Sequence, residues 1–366
     1  MKKTMIALSL GLLPLAAAAD VTLYGQVRNT VSVNQVKIKG SDGTEKSAVA
    51  TRINDNATRI GFRGSEKLSD DVKAIWQIEQ RTSILGSDSR WGSRDSFIGL
   101  EGGFGKVRAG NLNNMLNEMD TVDPWMYSHG AIGLGVFTRT GTRTTSVRYD
   151  SPKLGGAAFS LQYSPRDNQN PADRYTHNEP ARDQFTAGVS YSTPSYFAKL
   201  AYNLRKNRVG TEDGHIVRFE TVYDADNVFL GLGAQYAKAN ETGNQYLSRF
   251  TDGFNTYQGS NITQDEGKNE AVEVIDAAVT AGYNFGNLRP RITYAHGRPA
   301  KGVDSGTKVV DKFDQIIIGG DYRISKQTAL RAQAGYMVVG KKTRLDAGNS
   351  GKIEQAAASL GLQHRF

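Results

Sequence analysis

The last eleven residues of this chain alternate. Ala356, Ala358, Leu360, Leu362, His364 and Phe366 fall on one side of an extended backbone; Ala357, Ser359, Gly361, Gln363 and Arg365 fall on the other. A period of two defines a strand with one apolar and one polar face. This strand runs to the final residue and stops on an aromatic. A transmembrane β-barrel has a use for that pattern, because its outer face meets lipid and its lumen meets water. The first strand reads the same way: Val21, Leu23, Gly25, Val27, Val31 and Val33 alternate with Thr22, Tyr24, Gln26, Arg28, Thr30 and Ser32.

Residues 1–19 read as a cleaved secretory leader. Lys2 and Lys3 precede an apolar core from Met5 to Leu15, and Ala17-Ala18-Ala19 stands before Asp20. The core is too short to cross a bilayer as a helix. The expected mature chain, 20–366, shows no linker and reads as one domain. It has no run of about eighteen apolar residues, so any membrane span must be a strand. The mean hydropathy of −0.48 fits strands that are only half apolar. The chain has no cysteine, so an exported fold needs another staple, and a closed ladder without edges supplies one. Lys and Arg number 45 against 37 Asp and Glu, but they are dispersed along the chain, which argues against a nucleic-acid partner.

Further alternating segments lie near 52–64, 71–82, 93–101, 105–112, 144–151, 157–164, 184–192, 195–205, 214–224, 227–238, 271–285, 288–297, 312–324, 327–340 and 352–366. With the first they make about sixteen strands. Their connections alternate in length. Short turns fall at Gly102-Gly103-Phe104, 151–155, 192–194, 224–226, Gly286-Asn287 and Ser325-Lys326. Long polar loops fall near 35–51, 83–92, 113–143, 165–183, 206–213, 239–270, 298–311 and 341–351. Bacterial outer-membrane barrels have this asymmetry, with periplasmic turns and extracellular loops. The expected fold is all-β: a 16-stranded antiparallel transmembrane barrel whose first and last strands pair.

The strings Asp20-Val-Thr-Leu-Tyr-Gly25, Lys73-Ala-Ile-Trp76-Gln-Ile-Glu79-Gln, Trp91-Gly, Arg94-Asp-Ser-Phe97-Ile-Gly-Leu100, Gly103-Phe-Gly-Lys106, Ser146-Val-Arg148-Tyr-Asp-Ser-Pro152, Tyr294-Ala-His-Gly297 and Gly361-Leu-Gln-His-Arg-Phe366 resemble those of the neisserial major porins, the PorB and PorA proteins. These belong to the general trimeric porins of β-proteobacteria. The resemblance covers essentially the whole chain. It implies a homotrimer of outer-membrane barrels, each a water-filled pore with the third loop folded inward. It also implies that Phe366 is a terminal signal for the barrel-assembly machinery. PorB proteins tend to anion selectivity and PorA proteins to cation selectivity, and the resemblance does not choose between them. One basic residue is missing: such porins usually carry an Arg in the string that here reads Gly110-Asn111-Leu112-Asn113.

Selectivity in a wide barrel depends on charges at the narrowest section. The third loop carries Glu118, Asp120 and Asp123. Alternation turns Arg28, Arg59, Arg81 and Arg148 toward the lumen. Arg94 faces the lumen if Phe97 faces lipid, and does not if Ile98 and Leu100 do; the resemblance favours the lumen. A basic wall opposite an acidic loop makes a transverse field. Across about 8 Å of water, one unit-charge pair contributes about 0.5 kcal/mol, and low-dielectric walls raise this. The expectation is passive passage of ions and small hydrophilic solutes with weak anion preference. A structural or adhesive barrel acting through its surface loops is the alternative.

No enzyme, cofactor or metal chemistry is expected. Gly102-Gly103-Phe104-Gly105-Lys106 lacks the Ser or Thr and the helix of a phosphate loop. His129, His177, His215, His296 and His364 have no ligand spacing, and no nucleophile elbow occurs. The stretch from Asp252 to Asp265 reads as an exposed loop rather than a calcium site, and Trp76 as a lipid-facing girdle residue.

Overall fold

The computed structural model describes residues 21–366 apart from 42, 87–90, 127–129, 136, 138–142, 252–268 and 347–348. The expected leader, Asp20, His129 and the stretch from Asp252 to Asp265 lie outside the described residues.

Twenty strand segments form one antiparallel sheet. The first half comprises β1 (Thr22–Gly40), β2 (Gly43–Lys46), β3 (Ala50–Asp55), β4 (Arg59–Lys67), β5 (Val72–Arg81), β6 (Ser96–Gly102), β7 (Gly105–Leu112), β8 (Thr144–Asp150), β9 (Ala157–Ser164) and β10 (Gln184–Ser192). The second half comprises β11 (Tyr196–Val209), β12 (Glu212–Ala225), β13 (Val228–Thr242), β14 (Ala271–Tyr283), β15 (Leu288–Gly297), β16 (Ala300–Gly302), β17 (Lys308–Val310), β18 (Phe313–Arg323), β19 (Thr328–Asp346) and β20 (Asn349–Arg365). β3 and β4 are one strand, broken at 56–58, and both pair with β1. β2, β16 and β17 are short ladders at the loop ends of their neighbours. Sixteen strands therefore make the wall, as the alternation predicts.

β1 pairs with β20 from Gln26↔Arg365 to Lys39↔Lys352, which closes the barrel. At the seam the Gly25 N–H donates to the Phe366 carbonyl at 3.0 Å, and the Phe366 N–H donates back at 3.2 Å. The Phe366 ring lies over Gly25, where a β-carbon would sit 2.5 Å from it. Glycine there makes room for the terminal aromatic.

The two faces separate as polarity demands. Along the seam Val27, Val31, Leu360 and Leu362 are exposed, whereas Gln26, Thr30, Ser32, Ser359 and Gln363 are buried. The exposed face is the outer one, and it carries aromatics at two levels. Tyr191, Tyr196, Tyr223, Tyr283 and Phe285 lie near the short turns; Tyr163, Phe185, Tyr202, Tyr294 and Tyr336 lie nearer the loops. Leu161, Val189, Leu200, Val279, Ile292 and Ile316 fill the belt between. Aliphatic residues suit the hydrocarbon layer and aromatic rings suit its two interfaces.

The barrel wall is taller on the loop side than alternation predicts. The expected loop 206–213 shrinks to residues 210–211, with Gly210 at φ +60°, and within the expected loop 341–351 β19 runs on to Asp346 and β20 begins at Asn349. β1 continues to Gly40 through part of the expected loop 35–51. Above the lipid both faces meet water, so a strand no longer needs an apolar side. The hydrogen-bonded ladder continues after the alternation has stopped. Gly102 to Lys106 form the tight β6–β7 hairpin, with Lys106 paired to Glu101 at 3.2 Å.

Candidate pore constriction

Residues 113–126 and 130–135, after β7, lie on the inner face of the barrel and are bound to it from β8 round to β20. Arg148 of β8 holds both Glu118 carboxylate oxygens, at 2.7 and 3.0 Å. Met115 sits against Gly188 of β10, and Val122 against Gly231 and Gly233 of β13. The Trp125 indole N–H donates to Thr293 of β15 at 2.8 Å. Gln315 of β18 donates to the Gly130 and Gly133 carbonyls at 2.8 and 3.0 Å, and Gln333 of β19 donates to the Met126 carbonyl at 2.5 Å. Irregular backbone away from water must find partners for its amides and carbonyls, and the wall's amide side chains supply them. At Gly335 a β-carbon would meet the Ala131 carbonyl oxygen at 1.9 Å, so only glycine admits the loop there. From the loop side, helix α1 (Gly243–Thr251) closes over the tip: Arg249 donates to the Gly135 and Phe137 carbonyls, each at 2.9 Å.

The inner face of β1 and of β3–β6 carries charge instead. Glu79 of β5 is buried at the centre. It accepts from the Tyr24 hydroxyl at 3.1 Å, bonds Arg94, and lies 3.5 Å from Arg59. Arg59 and Arg81 are direct cross-strand partners. Arg81 lies 3.8 Å from Asp55, and Arg143 3.2 Å from Asp95. Arg28 donates to the Asn56 carbonyl at 2.6 Å and makes no ion pair with the described residues; the charges of Arg59, Arg94, Arg331 and Arg365 act on it. This wall thus sets Arg28, Arg59, Arg81 and Arg94 against Glu79, Asp55 and Asp95, and Arg143 reaches Asp95 from the end of the loop.

Two irregularities build that cluster. The break at 56–58 places Ala57 at φ +67°, and Asp55 accepts from the Ala57 and Thr58 amides at 3.0 and 3.1 Å. The break presents the Asn56 carbonyl to Arg28, a use of a strand irregularity to aim a side chain. The second is the bend before β6. Ile98 and Leu100 face outward, at 69% and 44% exposure, so strict alternation would send Arg94 out with them. The chain turns between Trp91 and Asp95 instead and lays Arg94 on Glu79. Asn111 fixes the bend by donating to the Gly92 and Arg94 carbonyls at 3.1 and 3.0 Å.

The remaining expected residues lie apart from this wall. Arg148 is buried beneath the loop, bonded to Glu118 and, at 2.8 Å, to Asp150. Asp120 lies 3.9 Å from Arg218 of β12. Asp123 is buried and accepts from the Leu134 amide at 3.1 Å, a contact within the loop. The loop acids and Arg148 are joined rather than set across an open gap. Arg291, Arg331 and Arg365 are not among the expected residues, yet they obey the same alternation, beside outward Ile292, Leu330 and Phe366. Trp76, expected at the lipid face, is paired with outward Ile98 and lies across Gly64 of the other neighbouring strand. Among the described residues no group of His, Cys, Asp and Glu could hold a metal ion.

The profile of the Gram-negative porin family matches residues 25–366. The chain belongs to that family. The major outer membrane protein P.IB of Neisseria sicca is 40% identical, and that of Neisseria meningitidis serogroup B 35% identical, each aligned over all of both chains. Among solved structures, the anion-selective porin from Comamonas acidovorans superposes with a TM-score of 0.67 at 19% identity, covering 95% of this chain and all of that one. OmpT of Vibrio cholerae, in its trimer form, gives 0.64 at 15% identity, with 95% and 100% covered. This porin is a general diffusion channel of the Gram-negative outer membrane, without catalytic turnover.

Proposed function

We propose that the pore is weakly anion-selective and that its narrowest section runs between loop 113–143 and the wall of β1 and β3–β6. The excess of guanidinium over carboxylate groups on that wall carries this reading. Glu118, Asp120 and Asp123 hold the loop in place and set the width, with Arg148 as the anchor. Arg28, Arg59, Arg81 and Arg94 make the field that a passing ion meets. In a water-filled section bounded by low-dielectric walls, a few uncompensated charges bias flux several-fold without binding an ion tightly.

In this reading residues 1–19 are removed on export, three barrels associate through their outer faces, and Phe366 is the terminal signal for barrel assembly. The first point predicts a mature N-terminus at Asp20, read by terminal sequencing. The last predicts that deleting Phe366 lowers the yield of assembled protein more than the conductance of what assembles. Planar-bilayer recording tests the channel itself. Purified protein should give stepwise openings, and a barrel that works only through its surface loops would give none.

A further inference from the structure

At the short-turn end, inside the barrel, a cavity of about 410 Å³ opens between the ends of β15, β18, β19 and β20. Arg291, Arg323, Lys326, Arg331 and Arg365 line it around one carboxylate, Asp321. Arg289 also lines it, and is paired with Asp224 at 2.9 Å. Asp321 is bonded by Arg291 and lies 3.1 Å from the Arg331 Nε. Arg291 is more than nine-tenths buried, and its Nε has no hydrogen-bond partner. Its guanidinium also lies over the Trp125 ring, 5.7 Å from the centroid, which fixes it against the constriction loop. Arg323, Lys326 and Arg365 are exposed at the rim and form no ion pair with the described residues.

A guanidinium fork matches a carboxylate in two parallel hydrogen bonds. Asp321 shows the arrangement already formed, with one carboxylate between two arginines. The cations beyond it are left facing water, in a volume suited to a small organic solute. A monovalent anion meets one of them at a time. A molecule with two or three carboxylates can engage several rim cations together.

We propose that the periplasmic mouth is a binding subsite for small polycarboxylates, with Arg323, Lys326 and Arg365 as the solute-contacting residues and Arg291, Arg331 and Asp321 as the fixed floor. This rests on the barrel being an open channel and adds a solute class to it. A polycarboxylate held there partly occludes the ion path at the mouth.

The test is block of the single-channel KCl current by citrate, with acetate at matched ionic strength as reference. Citrate should reduce the current at concentrations where acetate leaves it unchanged. The triple variant Arg323→Gln, Lys326→Gln, Arg365→Gln should raise the half-blocking concentration about tenfold, as expected for losing charge-assisted contacts. If the triple variant assembles poorly, Arg365→Gln and Arg323→Gln separately should each raise it about threefold. An unchanged half-blocking concentration in these variants would overturn the site. Pyrophosphate blocking at lower concentration than citrate would overturn the carboxylate assignment. Absence of any KCl conductance in the unaltered protein would instead remove the channel reading beneath both.

Discussion

The two walls of the lumen obey the same alternation and are built for different neighbours. From β8 to β20 the inner face, above the cavity at the short-turn end, meets another stretch of protein. It is made of glycines where the loop comes close and of Gln, Thr and Trp-bonded side chains where the loop's backbone needs partners. From β1 to β6 the inner face meets water, and it carries arginines around a few carboxylates. A position that is simply "polar" by periodicity is therefore two things. Beneath the loop, polarity saturates hydrogen bonds, and in the proposed reading it sets a width. Opposite the loop, in the same reading, it sets a potential.

Changes beneath the loop should act first on stability and conductance. Trp125→Ala removes a buried ring and its bond to Thr293, which should cost about 3–5 kcal/mol. The measurements are thermal unfolding and single-channel conductance, and the conductance should rise as the loop loosens. Gly335→Leu forces a side chain into the space of the Ala131 carbonyl and should cost about 1–3 kcal/mol by overpacking, again with wider conductance. Conductance unchanged in both variants would show that the loop does not set the width.

Smaller effects are expected across the gap. Asn111→Ala strips two carbonyls of their donor and frees the bend that carries Arg94, at about 1–2 kcal/mol. Its distinguishing result is a shift of reversal potential away from anions with little change in conductance. The smallest effect belongs to neither wall. In loop 165–183 Asp173 accepts from the Thr176 hydroxyl at 2.7 Å, from the Asn178 and Glu179 amides at 2.8 and 3.0 Å, and from Arg166 at 2.7 Å. The Thr176 hydroxyl, the two amides and Arg166 hold its pKa down to about 2 from 3.8. The stabilisation is complete above the unfolded value near 3.8 and is lost only as pH falls through about 2. Asp173→Asn should make this loop more open to proteolysis at neutral pH while conductance and selectivity stay as they were.

Sequence made the lipid-facing band legible because lipid demands an apolar side on every strand that crosses it. Arg28, Arg59 and Arg81 could be placed on the lumen face for that reason. Arg291, Arg331 and Arg365 carried the same signal. Alternation fails where lipid stops, so it reads the ends of β11 and β12 and of β19 and β20 as loops. It also fails where the backbone breaks, so Arg94 could not be placed without the bend that Asn111 holds. The division of the inner face into covered and open walls was out of reach. Gln333 and Arg331 are both polar residues on one face of one strand, and only tertiary packing separates them.

The charge of the open wall is the central claim, and the reversal potential in a KCl gradient reads it directly. The unaltered porin should show a modest anion preference, and Arg28→Gln with Arg59→Gln should bring it close to zero, because Arg81, Arg94 and Arg143 would then only balance Asp55, Glu79 and Asp95. Cation preference in the unaltered protein, or a potential that these two substitutions leave unmoved, would contradict it.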